Sequence, residues 1–283
     1  MNPKQKKKLL KRKTAKSPAI QASGYIEKLL AYRDLFNDYS SIKLLINNIV
    51  EADRLLQAGL LPQALPELLL PEDIQDTIFQ KISAQYPVGD KRGDDLWEKL
   101  SAALPDLDKQ IRSFRDYLED HYGMWAYISA PFMKDLVTFV GDRPVLELMA
   151  GNGYISKGLR DAKKTVFTTD SKDWAKENET GKHPVTSVEA LDALSAIEKY
   201  QDQVGVVIMS WSPDKLDIDW QVLQKIRSLD TSLDFVVIGE KHGATGSKEF
   251  WDNATFLNNE NTELLNKHYP QFDLIHDEVY LVK

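Results

Sequence analysis

"VLELMAGNGYIS", residues 145–156, packs an acid, two glycines and a run of apolar residues into one short stretch. Its start reads as a strand, Gly151 and Gly153 as a tight turn, and the residues after Gly153 as the first turn of a helix. A glycine turn at a strand's C-terminal end lets a ligand approach the backbone at the mouth of a sheet. Two ligand classes use such a turn. A dinucleotide fingerprint calls for a third glycine three residues after the second, where helix and strand pack closely, and here Ser156 holds that position. Glu147, four residues before Gly151, is an acid inside the strand. A buried carboxylate is costly without a positive partner. The α-ammonium of a methionine moiety would be such a partner, whereas a pyrophosphate would be repelled.

Outward from this stretch the chain has two patterns. After Pro144, the short apolar runs "PVLEL", "TVFTT", "VGVVIM" and "LDFVVIG" alternate with helical stretches, which predicts parallel β-α-β units with helices on both faces of a sheet. The closing "FDLIHDEVYLVK" (272–283) predicts two strands too close together for a parallel crossover, hence an antiparallel hairpin. From Ser23 to about Asp142 the period is helical, as in Ile42, Leu45, Ile46, Ile49 and Val50. Ser23 and Ser40 or Ser41 are the expected N-caps, and Gly59 the expected stop. Residues 86–95, "YPVGDKRGDD", read as an exposed linker. Helices are expected at Leu96–Ala103 and Asp108–Tyr122, and another beginning near Pro131. The expected organisation is a basic flexible tail over 1–22, a helical region over 23–120 and a ligand-binding domain over 121–283.

"VLELMAGNG" resembles the first motif of class I S-adenosylmethionine-dependent methyltransferases, Glu-x-x-x-Gly-x-Gly. The resemblance covers roughly residues 121–283. It implies S-adenosyl-L-methionine as cofactor, with Gly151 and Gly153 along its methionine part and Glu147 beneath. It implies that Asp170, 17 residues after Gly153, accepts hydrogen bonds from both ribose hydroxyls. Glu189 and Ala190 fall where the family places its adenine-facing turn, and the terminal hairpin matches its antiparallel seventh strand. The implied fold is α/β, a Rossmann-like seven-stranded, mostly parallel sheet preceded by a helical N-terminal region. "SWSP" (210–213) stands where amine-methylating members carry an Asn/Asp-Pro-Pro-aromatic turn, and puts Ser210 and Trp211 at the mouth of the sheet. It departs from that turn at Ser212, where the first proline would be. "IGEKHGATGSKEFW" (238–251) and "YGMWAYISAP" (122–131), the latter containing Trp125, resemble segments of a little-studied group of bacterial methyltransferase-like proteins. The chain is identified as a member of that group, and the implied activity is methyl transfer to an unidentified acceptor.

The candidates for catalysis each have two readings. Glu240 ends an apolar run, so either a backbone partner satisfies its carboxylate or it faces the reaction centre. Asp214 is a turn residue or a base. His242 is a solvated loop residue or a second base behind these. Trp125 and Tyr127 are core aromatics or cover the ligand, and Thr245 and Ser247 are expected to cap the helix "KEFWDNATFL". A sulfonium already carries a good leaving group, so alignment rather than a covalent enzyme intermediate is the expected contribution.

Composition narrows the rest. The 283 residues include no cysteine, which removes disulfides and thiolate metal sites, and five scattered histidines give no zinc spacing. No metal is expected. Of 36 basic residues, eight lie within residues 1–18, so the remaining 28 face 43 acids. An acidic body does not steer toward nucleic acid, but a cationic tail can make phosphate contacts or serve as a solubilising segment. No apolar stretch approaches a membrane span, and a cytoplasmic protein without membrane contact is expected. Two other classes stay open: a non-catalytic, cofactor-sensing or nucleic-acid-associated protein, and a dinucleotide oxidoreductase.

Overall fold

The computed structural model describes residues 22–230 and 232–283; the basic tail, but for Ala22, lies outside the described residues. The chain begins with the helices α1 (Ala22–Leu35), α2 (Ser40–Gln57), α3 (Ile74–Gln85), α4 (Lys91–Arg112), α5 (Phe114–Tyr122) and α6 (Ala130–Val140). Ser23 lies inside α1 rather than capping it, and Tyr39 occupies the N-cap of α2 with no side-chain bond. Gly59 follows the end of α2, as expected. The expected linker is shorter than 86–95. Asp90 accepts the Arg92 N–H at 2.9 Å and starts α4 at once, so Lys91 to Asp95 are helical. The helices expected at Leu96–Ala103 and Asp108–Tyr122 are instead divided at Ser113: α4 runs unbroken through Pro105, held to the core by buried Leu100, Leu104, Leu107 and Ile111. Ser129 caps α6, with Pro131 in the first turn, where a missing N–H costs nothing.

β1 (Val145–Leu148), β2 (Val166–Asp170), β3 (Glu189–Ala190), β4 (Val206–Ser210), β5 (Asp234–Gly239), β6 (Phe256–Leu257) and β7 (Glu278–Val282) form one sheet in the order β3-β2-β1-β4-β5-β7-β6. The first five pair in parallel, with Val145 beside Val166 and Val206, and Ser210 beside Ile238. β7 runs antiparallel between β5 and β6. This is a Rossmann-like, mostly parallel sheet with an antiparallel C-terminal pair.

That pair differs from the expected hairpin in its first member, which is β6, ahead of the helix Glu260–Asn266, and not "FDLI". The reason is tertiary. The Phe272 carbonyl accepts the Leu68 N–H at 2.7 Å, and the Asp273 carboxylate holds Arg115 of α5. The segment is committed to the helical region and leaves no strand edge to pair.

Alternation along each strand divides the core. Val145, Val206, Ile208, Val236 and Ile238 face the cluster that includes the N-terminal helices. Leu146, Leu148, Val207, Met209 and Val237 face the helices Ala193–Tyr200, Ile218–Arg227 and Lys248–Asn253. Burial on both faces explains why these strands read as unbroken apolar runs. Strand order reverses between β1 and β4, and the crevice at the carboxyl ends of strands at such a switch point is where open α/β sheets bind ligands.

Candidate functional site

A cleft of about 290 Å³ lies at that switch point. Its floor is Glu147 and the turn at Ala150 and Gly151; one wall is the approach to the sheet from Gly123 to Ile128, including Trp125. The opposite wall is Ser210 to Asp214, beyond the end of β4, with Ala244 and Thr245 beside it. Trp174, Asn178 and Thr180, from the connection between β2 and β3, close the remaining side.

The glycines hold their places by conformation. Gly151 has φ +54° and Gly153 φ +80°, and Gly153 is the N-cap of the helix Tyr154–Asp161. Glu147 is 2% exposed and serves that helix. Its carboxylate accepts the Ser156 N–H at 2.8 Å, an N-terminal donor with no helical partner, and also the Ser156 hydroxyl. Ser156 therefore stands in place of a dinucleotide glycine because its side chain is used. Arg160 donates to Thr168 Oγ1 at 2.8 Å, and Thr168 donates to Ser156 Oγ at 2.6 Å, extending the chain of bonds behind Glu147. Burial pushes the Glu147 carboxyl up to about 7, against the lowering effect of the Ser156 bonds and the Arg160 charge.

Asp170 sits at the end of β2 with its carboxylate turned to backbone. It accepts the Gly151 N–H at 2.8 Å and the Lys172 N–H at 2.6 Å, so it shapes the glycine turn without lining the cleft. Glu189 and Ala190 also stand away from the cleft. Glu189 accepts from Lys199 Nζ and Tyr200 Oη, both at 2.6 Å, and the Lys199 ammonium lowers its pKa.

Trp211 adopts φ +53° and anchors the wall after β4. Its N–H donates to the Ile238 carbonyl at 2.8 Å, and its indole Nε1 donates to Asp277 at 2.9 Å. The Arg115 guanidinium lies 5.0 Å from the centre of its ring. Arg115 is 4% exposed, pairs with Asp273, lies 3.5 Å from Asp277 and donates to the Trp125 carbonyl at 2.7 Å. One buried guanidinium thus holds both aromatic walls. Pro213 bridges Thr245, and the Gly246 N–H donates to the Ser212 carbonyl at 2.9 Å, which fastens this wall to the loop after β5.

Of the three catalytic candidates, Asp214 lines the cleft and the other two do not. Glu240 accepts the Ala244 N–H at 2.6 Å and the His276 N–H at 3.3 Å, while Thr245 Oγ1 accepts the Glu240 N–H at 2.9 Å. Its carboxylate pins the "HGATGS" loop, the backbone-satisfied alternative of the two. His242 is exposed, 3.9 Å from Asp252. Ser247 caps the helix Lys248–Asn253, whereas Thr245 is taken up by Glu240. Glu240→Ala is expected to destabilise the fold by about 1–2 kcal/mol, the scale of bonds to a charged acceptor at a half-buried site. Chemical denaturation checks this, and an unchanged midpoint would remove the loop-pinning role.

Some lining residues carry no signature in the sequence. Trp174, Asn178 and Thr180 belong to "SKDWAKENETGKHPVTSV" (171–188), which reads as polar loop. Trp125 Nε1 donates to Thr180 Oγ1 at 2.8 Å, and the Asn152 side chain bonds the Tyr122 carbonyl at 2.8 Å and the Glu179 carbonyl at 3.2 Å. The one available signal was the length of this connection. Among the described residues no group of acidic or histidine side chains is placed to hold a metal ion, and no helix is long and apolar enough to cross a membrane.

No family model and no curated protein matches the chain. Solved structures do. The CcbJ methyltransferase from Streptomyces caelestis matches at 17% identity and a TM-score of 0.29 over 47% of this chain, which spans 57% of that one. An rRNA methylase from Streptococcus thermophilus matches at 13% identity and a TM-score of 0.33, over 54% of this chain and 93% of that one. The plantazolicin methyltransferase BpumL in complex with SAH matches at 10% identity and a TM-score of 0.36, over 74% of this chain and 95% of that one.

Proposed function

We propose that the chain binds S-adenosyl-L-methionine in the cleft and transfers its methyl group to an acceptor entering past Asp214. The observation that carries this reading is Glu147, a buried carboxylate at the floor of a switch-point cleft that, among the described residues, no Lys, Arg or His lines. Such a floor suits the ammonium and sulfonium of a methionine derivative and repels a pyrophosphate. The cofactor would supply a methyl group on a positively charged sulfur, ready to leave. Gly151 would let the methionine end lie against the backbone, and Glu147 would pair with its ammonium. Trp125 and Thr180 would cover it from water. Asp170 contributes through the Gly151 N–H that it holds. Asp214, which lines the cleft, would take a proton from an acceptor.

Isothermal titration with S-adenosylmethionine, S-adenosylhomocysteine and NAD tests the reading. The first two are expected to bind and NAD is not; the reverse order would sink it. The Glu147 carboxyl adds a pH signature. With a pKa of about 7 in the free protein, its ionised fraction rises from about one tenth at pH 6 to about seven tenths at pH 7.4. A ligand ammonium favours the ionised form, so S-adenosylmethionine affinity should rise roughly five- to tenfold over that window. Glu147→Gln should flatten the profile. Stability should move the other way: a carboxyl whose folded pKa is raised binds more protons when folded, so it loses stability as pH rises from about 4.5 to 7.

A further inference from the structure

The cleft's lining has a consistent charge. Among the described residues it holds two carboxylates, Glu147 and Asp214, no basic residue, and three tryptophans, Trp125, Trp174 and Trp211. The rings of Trp125 and Trp211 pack against each other, tilted by 41° with centroids 6.0 Å apart, and form one continuous aromatic wall of the cleft. Ser212 lies in the same wall at 4% exposure, and among the described residues its hydroxyl has no hydrogen-bond partner, although a buried hydroxyl ordinarily finds one. An unpaired buried hydroxyl, a carboxylate two residues on and aromatic faces together match one kind of guest. Resting on the reading of the cleft as a methyl-transfer site, we propose that the acceptor is a small basic amine on an apolar or aromatic body. Its body lies against the tryptophan wall, its nitrogen bonds Ser212 Oγ, and Asp214 is its counter-ion.

Charge balance favours nitrogen over other acceptor atoms. The protonated amine gives one proton to the Asp214 carboxylate. The freed lone pair forms the new N–C bond as the C–S bond breaks, and that bond's electron pair goes to sulfur. The positive charge passes from sulfur to nitrogen, so a cleft of carboxylates and aromatic faces holds a cation before and after transfer. An alcohol or phenol acceptor would pass its proton to Asp214 and end as a neutral ether, which offers the aromatic faces no cation. A nucleic acid or nucleotide would bring phosphates against them. Lys215 does not fill the role of counter-ion permanently: its ammonium is 2.9 Å from Asp214 but 78% exposed, and an exposed pair of this kind is readily displaced.

The test uses the full chain, saturated with S-adenosylhomocysteine, and titrates phenethylamine, tryptamine, 3-phenylpropionate and adenosine 5′-monophosphate by calorimetry. The amines are expected to bind at least about tenfold more tightly than the carboxylate or the nucleotide, the scale of one charge-assisted contact. Asp214→Asn should weaken amine binding about five- to tenfold, and Ser212→Ala should weaken it by a smaller factor, with each variant's fold checked by circular dichroism. Binding of the nucleotide or 3-phenylpropionate as tight as that of the amines, no amine binding, or amine affinity indifferent to Asp214→Asn would each overturn the proposal. Amine binding without any S-adenosylhomocysteine binding would leave the amine site standing and remove the methyl-transfer reading instead.

Discussion

Gly151→Val is expected to abolish S-adenosylmethionine binding, a loss of at least about 100-fold in affinity, or about 2.7 kcal/mol. Three effects act together. Gly151 has φ +54°, a conformation that costs a branched residue roughly 1–2 kcal/mol or more. A Cβ there would stand 3.1 Å from Thr180 Cγ2, tight enough to push the 171–188 connection outward. The Gly151 N–H also donates to Asp170, so a shifted turn disturbs the strand end as well. Most of the fold should survive, because the hydrophobic core is built by strand and helix residues away from this turn. Calorimetry paired with circular dichroism decides the matter. A folded variant that binds normally would mean that the ligand lies elsewhere.

Arg115→Met is expected to destabilise the fold by about 3–5 kcal/mol, because it leaves the buried Asp277 and the partly buried Asp273 without their partner. Burial already pushes the Asp277 pKa up, opposed by Arg115, Tyr269 and Trp211, and among the described residues Asp277 Oδ1 has no hydrogen bond beyond its ion pair with Arg115. At roughly 2–4 °C per kcal/mol for a chain of this size, the melting temperature should fall by about 10 °C. Since Arg115 also lies against Trp211 and holds the Trp125 carbonyl, tryptophan fluorescence and ligand affinity should change with it. Adding Asp277→Asn to Arg115→Met should cost less than the sum of the two single changes, as coupled neighbours do. A parental melting temperature in Arg115→Met would refute the account of this network.

The outcome for Glu240 shows where local reading stopped. Its position at the end of β5 follows from the apolar run, and both roles for its carboxylate were compatible with that position. Which one holds depended on the "HGATGS" backbone folding back to within 2.6 Å, a matter of loop conformation. The terminal segment failed for a related reason. "FDLI" has a strand's composition, but Phe272 packs on Phe114 and Tyr127 and Asp273 meets Arg115, partners about 150 residues away in sequence.

The sequence by itself determined the parallel sheet, the glycine turn and the acid beneath it. Periodicity, glycine conformation and the cost of burying a carboxylate are local properties that act over a few residues. Only the tertiary structure decided what the cleft is made of. Ser156 as the partner of Glu147, Asp170 turned to the Gly151 N–H, Arg115 behind Trp211 and Thr180 over the turn all arise where distant segments meet. Those contacts are set by the strand order and the packing of the helical region on the sheet, which no window of sequence contains.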